Sequence, residues 1–200
     1  MNFEEIDSLL KRQIGNKPDL KTGLNEINQL LKEYDLPTVV VDIDRVRSYF
    51  TNWVLTTLRQ NPAPQNIIAF YFGLVTLSGN NNGKIASYLA GSTISPEEDE
   101  EWACETNYFP KNNYFILSEF VTIEESKNDK ITITGEYEVL VYVGLTSLLI
   151  QDTIKENRIK LLESQHKVLG LFTISKQREK LYMGVGFDSG DLYLVDKISR

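Results

Sequence analysis

The first sixty residues carry apolar side chains at the three- and four-residue spacing of amphipathic helices. Three such stretches occur, and the predicted helices cover residues 3–14, 21–34 and 45–60. Asp42 or Asp44 can cap the third helix, because a carboxylate there accepts hydrogen bonds from the first free amides. The face of this helix that we expect to point inward consists of Val46, Tyr49, Phe50, Trp53, Val54 and Leu58. Residues 1–61 are therefore predicted to form a helical N-terminal part.

From residue 67 onward the pattern changes to short apolar runs separated by turn residues, which is typical of β-hairpins. One predicted hairpin pairs residues 67–77 with 85–93 across an Asn- and Gly-rich turn. A second pairs residues 181–187 with 192–195 across the sequence DSGD. One face of strand 181–187 is apolar and consists of Leu181, Met183, Val185 and Phe187. The other face carries Gly184 and Gly186, where a neighbouring element can approach closely.

Residues 137–162 admit two interpretations. Their first eight residues alternate like a strand, whereas the leucines behind them follow helical spacing. We favour one long helix that begins near Gly135, with a strand at residues 137–144 as the alternative. The run 114–123 fits a strand or a helix equally well.

Together these elements predict an α+β fold. A helical N-terminal third is followed by an antiparallel sheet of hairpins packed against helices, including the long helix near residues 137–162. The length of 200 residues suits a single domain, with residues 1–61 as its helical part and 62–200 as its α+β part.

The net charge of −7 is concentrated in one place. We call residues 96–110, PEEDEEWACETNYFP, the acidic segment. Its six acids are Glu97, Glu98, Asp99, Glu100, Glu101 and Glu105. Six of the 28 acidic residues lie there, which leaves 22 elsewhere against 21 lysines and arginines. Such a local charge attracts a cationic protein partner. No basic patch stands out that would bind a nucleic acid backbone.

Large apolar residues follow these acids directly. A row of carboxylates has to face water. We expect Trp102, Cys104 and Phe109 to face inward, with Cys104 as a small core residue beside Trp102, so that these side chains hold the charges in place. The alternative is a passive, solubilising loop that is pinned by its aromatic residues.

Few residues suggest catalysis or metal binding. The chain has one cysteine and one histidine, Cys104 and His166, so neither a disulfide nor a usual zinc site can form within it. We interpret His166 as an ordinary surface or capping residue. The alternative is a calcium site formed by carboxylates of PEEDEE and DSGD, but the EF-hand pattern is absent. No phosphate-binding glycine motif occurs. We predict a protein without catalytic activity, cofactor or metal.

The sequence also bears on location. No apolar run approaches the roughly 20 residues that span a bilayer. The first residues lack the apolar core of a signal peptide. We therefore expect a cytoplasmic protein without membrane association.

Two segments, GKIASYLAGSTISPEEDEEWACETNYFP and GVGFDSGDLYLV, resemble bacterial immunity proteins that are encoded beside polymorphic or contact-dependent toxins. The matching residues of the first segment are Gly91, Glu98, Asp99, Glu100, Trp102, Ala103, Cys104, Phe109 and Pro110. Those of the second are Gly186, Phe187, Asp188, Gly190 and Asp191. The resemblance covers about residues 66–195 and leaves out the helical N-terminal third.

This resemblance implies a protein that binds a cognate toxin domain, for which a basic domain is the candidate, and blocks it without chemistry. The six acids would bind the partner. The Trp-Ala-Cys and Gly-Phe-Asp elements would instead have a structural role, tying the acidic segment to the C-terminal hairpin. Two alternatives stay open, namely an interaction or regulatory module with another partner, and a metal-dependent or hydrolytic enzyme. The sequence leaves the identity of the partner and the oligomeric state open.

Overall fold

A computed structural model describes residues 1–79, 83–111, 113–124, 135–168, 172–188 and 190–200, with the backbone alone at 164–168 and 172–176. Its first three helices confirm the predicted N-terminal part. They are α1 (Phe3–Asn16), α2 (Leu20–Glu33) and α3 (Ile43–Gln60). Each begins with a polar cap whose side chain accepts a hydrogen bond from a free amide of the first turn. The caps are Asn2, Asp19 and Asp42.

The predicted inner face of α3 is largely confirmed. Val46, Phe50 and Val54 are buried, and Phe50 lies 5.8 Å from the ring of Phe72 in the sheet. The expectation for Tyr49 is wrong, because 57% of this side chain is exposed. Its position is at the edge of the apolar stripe, where the ring lies against other surface groups instead of the core.

Five strands form the main sheet. They are β2 (Ala69–Thr76), β3 (Ile85–Ser92), β4 (Tyr114–Ile116), β8 (Lys180–Phe187) and β9 (Leu192–Ser199). The order across the sheet is β4-β3-β2-β8-β9. Both predicted hairpins are antiparallel, but they join through a parallel pair in which Tyr71 of β2 lies opposite Gly184 of β8. The fold is therefore α+β, as predicted, with a mixed sheet. Asn80 to Asn82 and Ser189, in the two turns, lie outside the described residues.

Residues 135–162 form a helix, as favoured from the sequence. It consists of α4 (Gly135–Glu138), a π-helical segment (Val139–Val143) and α5 (Gly144–Leu162). α5 contacts α1, α2 and α3 on one side and β8 and β9 on the other. Residues 140–150 of this helix are buried all around it, and a helix that is covered in this way is apolar on every side, which explains the strand-like alternation at its front.

The remaining strands form two small sheets. β1 (Val39–Val41) pairs with β5 (Val121–Ile123), and β6 (Glu163–Val168) pairs with β7 (Phe172–Gln177). The run 114–123, left open by the sequence, contains β4, a 3-10 turn at Leu117–Glu119 and β5.

Candidate partner-binding site

The acidic segment lies against the outer face of the main sheet, opposite the helices. Trp102 is only 1% exposed, and its ring meets that of Tyr71 edge to face with centroids 6.3 Å apart. A Cβ atom at Gly184 would lie 2.8 Å from Cζ2 of Trp102. The indole therefore occupies space that a side chain on β8 would otherwise fill. This contact joins the two segments that carry the resemblance, and it confirms the close approach predicted at Gly184.

Glu97 ties the start of the acidic segment to the C-terminal hairpin. Its carboxylate pairs with Lys197 at 2.6 Å and with Lys180 at 3.3 Å. Both ammonium groups also lie over the ring of Tyr182, at 5.2 and 5.3 Å from its centroid. Hydrogen bonds from Lys197, Tyr182 and Lys180 lower the pKa of Glu97 to about 2. Because its charge is compensated within the chain, Glu97 acts as an anchor.

Glu98 and Asp99 shape the backbone of the acidic segment. Glu98 accepts hydrogen bonds from the amide of Ser95 at 2.8 Å and from its hydroxyl at 2.9 Å, and the Glu98 amide returns one to the Ser95 carbonyl at 3.0 Å. The two bonds that the Glu98 carboxylate accepts lower its pKa, and together the three bonds close a turn between Ser95 and Glu98. Asp99 accepts a bond from the amide of Glu101 at 2.8 Å. One carboxylate oxygen of each residue is thus engaged in the turn.

Glu100, Glu101 and Glu105 differ from the first three acids. All three are exposed, as expected. Within the described parts of the chain, their carboxylates have no hydrogen bond or ion pair. The six predicted binding residues therefore divide into three that make contacts within the chain and three whose carboxylates have no partner among the described residues.

The prediction that Cys104 and Phe109 face inward is wrong. Cys104 is exposed, and its amide donates to the Glu101 carbonyl at 2.8 Å within a turn. Trp102 fills the space against the sheet, and the turn carries Cys104 away from it. Tyr108 takes the inward position expected for Phe109, because it bridges to Gly91 and its ring lies 6.2 Å from that of Phe70. Successive residues of extended chain point to opposite sides, so Phe109 faces outward and is 56% exposed.

Phe109 belongs to an exposed cluster of rings, Tyr88, Phe109 and Tyr114, which we call the aromatic patch. The Tyr88 ring centroid lies 5.3 Å from that of Phe109 and 6.1 Å from that of Tyr114, which is 50% exposed. Tyr88 also donates a hydrogen bond from its hydroxyl to Asp188. Burial and this carboxylate raise the pKa of Tyr88. The rings come from two strands and the acidic segment, so no local pattern in the sequence indicates the cluster.

The segment GVGFDSGDLYLV, residues 184–195, makes close backbone contacts at the end of the C-terminal hairpin. A Cβ atom at Gly186 would lie 2.5 Å from the Asp191 carbonyl oxygen, and Tyr71 donates to the Gly186 carbonyl at 2.8 Å. The amide of Gly190 closes the turn on the Phe187 carbonyl at 3.0 Å. Phe187 is half-buried against the main core. Asp188 and Asp191 are exposed, and Asp188 is the residue of this segment that reaches the aromatic patch.

A second acidic surface lies between α1 and α2. This cleft has a volume of about 510 Å³ and includes Glu4, Glu5, Glu26 and Glu33 beside Arg12. Three of its carboxylates have partners within the chain, since Glu26 accepts from Gln13 at 3.0 Å, Glu33 accepts from Gln29 at 3.3 Å, and Glu5 accepts from the Tyr34 hydroxyl. The cleft therefore presents less free charge than its composition indicates.

The described residues contain no group of three or more His, Cys, Asp or Glu that could hold a metal ion. The backbone of His166 lies in β6, and its side chain is outside the described part of the chain. In the same part, every helix is too short or too polar to cross a membrane. Comparison of the chain with models of protein families, with curated proteins and with solved structures found no match.

Proposed function

We propose that this protein binds and neutralises a cognate toxin domain without catalysing a reaction, as bacterial immunity proteins do. One observation carries the proposal. Glu100, Glu101 and Glu105 expose carboxylates that have no partner among the described residues, on a segment that is fixed to the sheet by Trp102 and Glu97. These anchors hold the three charges in defined positions, and a surface that recognises a basic partner benefits from charges held in place.

The position of the aromatic patch supports the same function. Protein interfaces are enriched in aromatic residues, and a few buried rings supply much of the binding energy. Phe109 and Tyr114 are among the most exposed large apolar side chains of the described residues. Free carboxylates would steer the encounter with a basic toxin, and the rings would slow dissociation of the complex. The proposal includes a cytoplasmic location, because a fold with one cysteine needs no oxidising compartment.

The test uses the product of the neighbouring reading frame, if that frame encodes a toxin domain. We expect this domain to co-purify with the protein, to lose its toxic activity in the complex, and to bind more weakly as salt rises. The triple variant E100K/E101K/E105K should weaken binding at least tenfold, mostly through slower association.

The matched control is E4K/E33K/E156K, which gives the same change of net charge with three exposed acids elsewhere. We expect it to bind within about threefold of the wild type, because only charges near the interface steer specific docking. Equal weakening of binding in both triple variants would mean that the toxin domain responds to the net charge alone and not to the position of the acids. Unchanged binding in both would contradict the acidic mechanism. A toxin domain that is neither bound nor inhibited would contradict the proposed function and favour an interaction module with another partner.

A further inference from the structure

The aromatic patch leaves two of its rings, Phe109 and Tyr114, exposed to solvent. Large aromatic side chains are normally among the most buried of a protein, since each removes 150–250 Å² from water. Phe109 and Tyr114 remain about half exposed although they touch Tyr88. The group that covers them in a complex should match both the rings and the charge around them.

The patch is held rigidly from below. A Cβ atom at Gly73 would lie 2.1 Å from Cζ of Tyr88, so the tyrosine ring lies directly on the backbone of β2. Its hydroxyl is held by Asp188. Tyr88, which both other rings contact, is thereby fixed before any partner arrives, and this reduces the entropy cost of binding.

Elsewhere this chain places cations on its own aromatic rings. Arg45 lies over Tyr49 and Phe120, at 5.7 and 5.2 Å from their centroids. Arg178 lies over Phe70 at 5.7 Å, and two lysines lie over Tyr182. Among the described residues no cation lies over Tyr88, Phe109 or Tyr114, although Lys111 follows Phe109 by two positions. The patch thus resembles the rings on which the chain places its own cations, but the described residues place none on it.

We propose that the aromatic patch receives an arginine side chain of a basic protein partner, with Asp188 as the accompanying carboxylate. This inference rests on the proposed function and names the chemistry by which the partner is recognised. Ring faces attract cations, and a guanidinium group stacks on rings and is more weakly hydrated than an ammonium group. The carboxylate of Asp188 is exposed, and Tyr88 occupies only one of its oxygens. The other has no partner among the described residues and would accept from the guanidinium.

The first experiment uses three blocked peptides as probes with the full chain, namely hexa-arginine, hexa-lysine and hexa-citrulline. Citrulline has the shape of arginine without its charge. We expect hexa-arginine to bind most tightly and to shift the ring resonances of Phe109 and Tyr114 in nuclear magnetic resonance spectra. Hexa-citrulline should cause no saturable shift. Equal binding of hexa-arginine and hexa-citrulline, or shifts that leave both rings unchanged, would overturn the inference.

The matched variants separate ring chemistry from apolar contact. F109L/Y114L keeps apolar bulk but removes both ring faces, and it should weaken hexa-arginine binding roughly fivefold or more. F3L replaces a phenylalanine that is 42% exposed and lies in α1, and it should leave binding unchanged. All three substitutions are at exposed positions, so we expect both variants to fold, and urea unfolding is the measurement that checks it. Wild-type affinity of F109L/Y114L for hexa-arginine would contradict the inference.

Two further outcomes separate this inference from the proposed function. If the neighbouring toxin domain binds F109L/Y114L as tightly as wild type, the arginine site is wrong and the proposed function stands. If no toxin domain binds but hexa-arginine still shifts the patch rings, the proposed function is wrong and the chemistry of the patch stands. A dimer in sedimentation experiments that is lost in F109L/Y114L would assign the patch to a second copy of the chain and overturn the inference.

Discussion

At the scale of single residues, the outer face of the sheet is organised by glycines that lie under aromatic rings. Tyr88 lies on Gly73, and Trp102 lies against Gly184. The sequence indicated that Gly184 marks a close approach, because a strand with no side chain there leaves room. It could not indicate which ring fills that room, since the partner is 82 positions away along the chain. The glycine predicted that there is room at position 184, and only the tertiary structure showed that Trp102 fills it.

The contact between Gly184 and Trp102 is open to a direct test. An alanine at position 184 would place Cβ 2.8 Å from the indole and 3.1 Å from the Tyr193 carbonyl oxygen. We expect Gly184→Ala to lower the free energy of unfolding in urea by about 1–3 kcal/mol, because a packed interior resists added volume. Gly15→Ala is the control, since a Cβ there meets nothing within 4 Å and α1 should gain up to about 1 kcal/mol. A Gly184→Ala variant as stable as wild type would mean that Trp102 does not occupy this place.

At the scale of elements, the predictable parts are those whose burial pattern has a clear period. α1, α2 and α3 each bury one stripe, and the strands of both hairpins are bounded by turn residues. β1, β4 and β5 have three residues each, too few for a period to be detected. The sequence of β6, ESQHKV, is mostly polar and therefore gives no apolar strand signal.

The exposure of the acidic segment could be predicted from the sequence, whereas the different roles of its six acids could not. Carboxylates in a row have to face water, and all six do. The partners of Glu97 follow it by 83 and 100 positions, so nothing near it in sequence shows that its charge is compensated. Cys104 and Phe109 were misplaced because residue type predicts burial only on average, whereas the turn after Trp102 decides which side chains point outward.

The ion pairs of Glu97 predict that the stability of the folded protein depends on pH. Hydrogen bonds from the lysines and Tyr182 lower its pKa in the folded state from 4.5 to about 2. The unfolded chain therefore takes up the proton first as pH falls. The contribution of ionised Glu97 to the free energy of unfolding is therefore complete above about pH 4.5 and is lost as pH falls through about 2. In carbon nuclear magnetic resonance titrations, we expect the Glu97 carboxyl to stay ionised at pH 3.

Two lysine variants complete this test. Lys197→Met removes the contact at 2.6 Å and should raise the pKa of Glu97 toward 4.5. Lys32→Met removes an exposed lysine of α2 and should leave the pKa of Glu97 unchanged. A Glu97 carboxyl that titrates near pH 4.5 in the wild-type protein would contradict the anchor.

At the scale of the whole molecule, one buried arginine joins the helical part to the sheet. Arg178 is 4% exposed, and its guanidinium donates to four backbone carbonyls. The acceptors are Ile67 at 2.7 Å, Glu163 at 2.7 Å, Ala63 at 3.0 Å and Pro64 at 2.8 Å. They lie in the connection from α3 to β2 and at the end of α5. Burial lowers the pKa of Arg178 to about 10, so the group remains charged at neutral pH.

This arrangement requires the planar, forked guanidinium. A lysine has one ammonium group on a flexible stem and cannot reach four carbonyls in different directions. Each buried carbonyl that loses its donor costs about 1–3 kcal/mol. We therefore expect Arg178→Lys to lower the free energy of unfolding in urea by about 2–4 kcal/mol, although the charge is kept. The control Arg59→Lys changes an exposed residue of α3 and should stay within about 0.5 kcal/mol of wild type. Equal stability of the two variants would mean that charge alone, and not the fork of hydrogen bonds, joins the N-terminal helices to the sheet that carries the acidic segment.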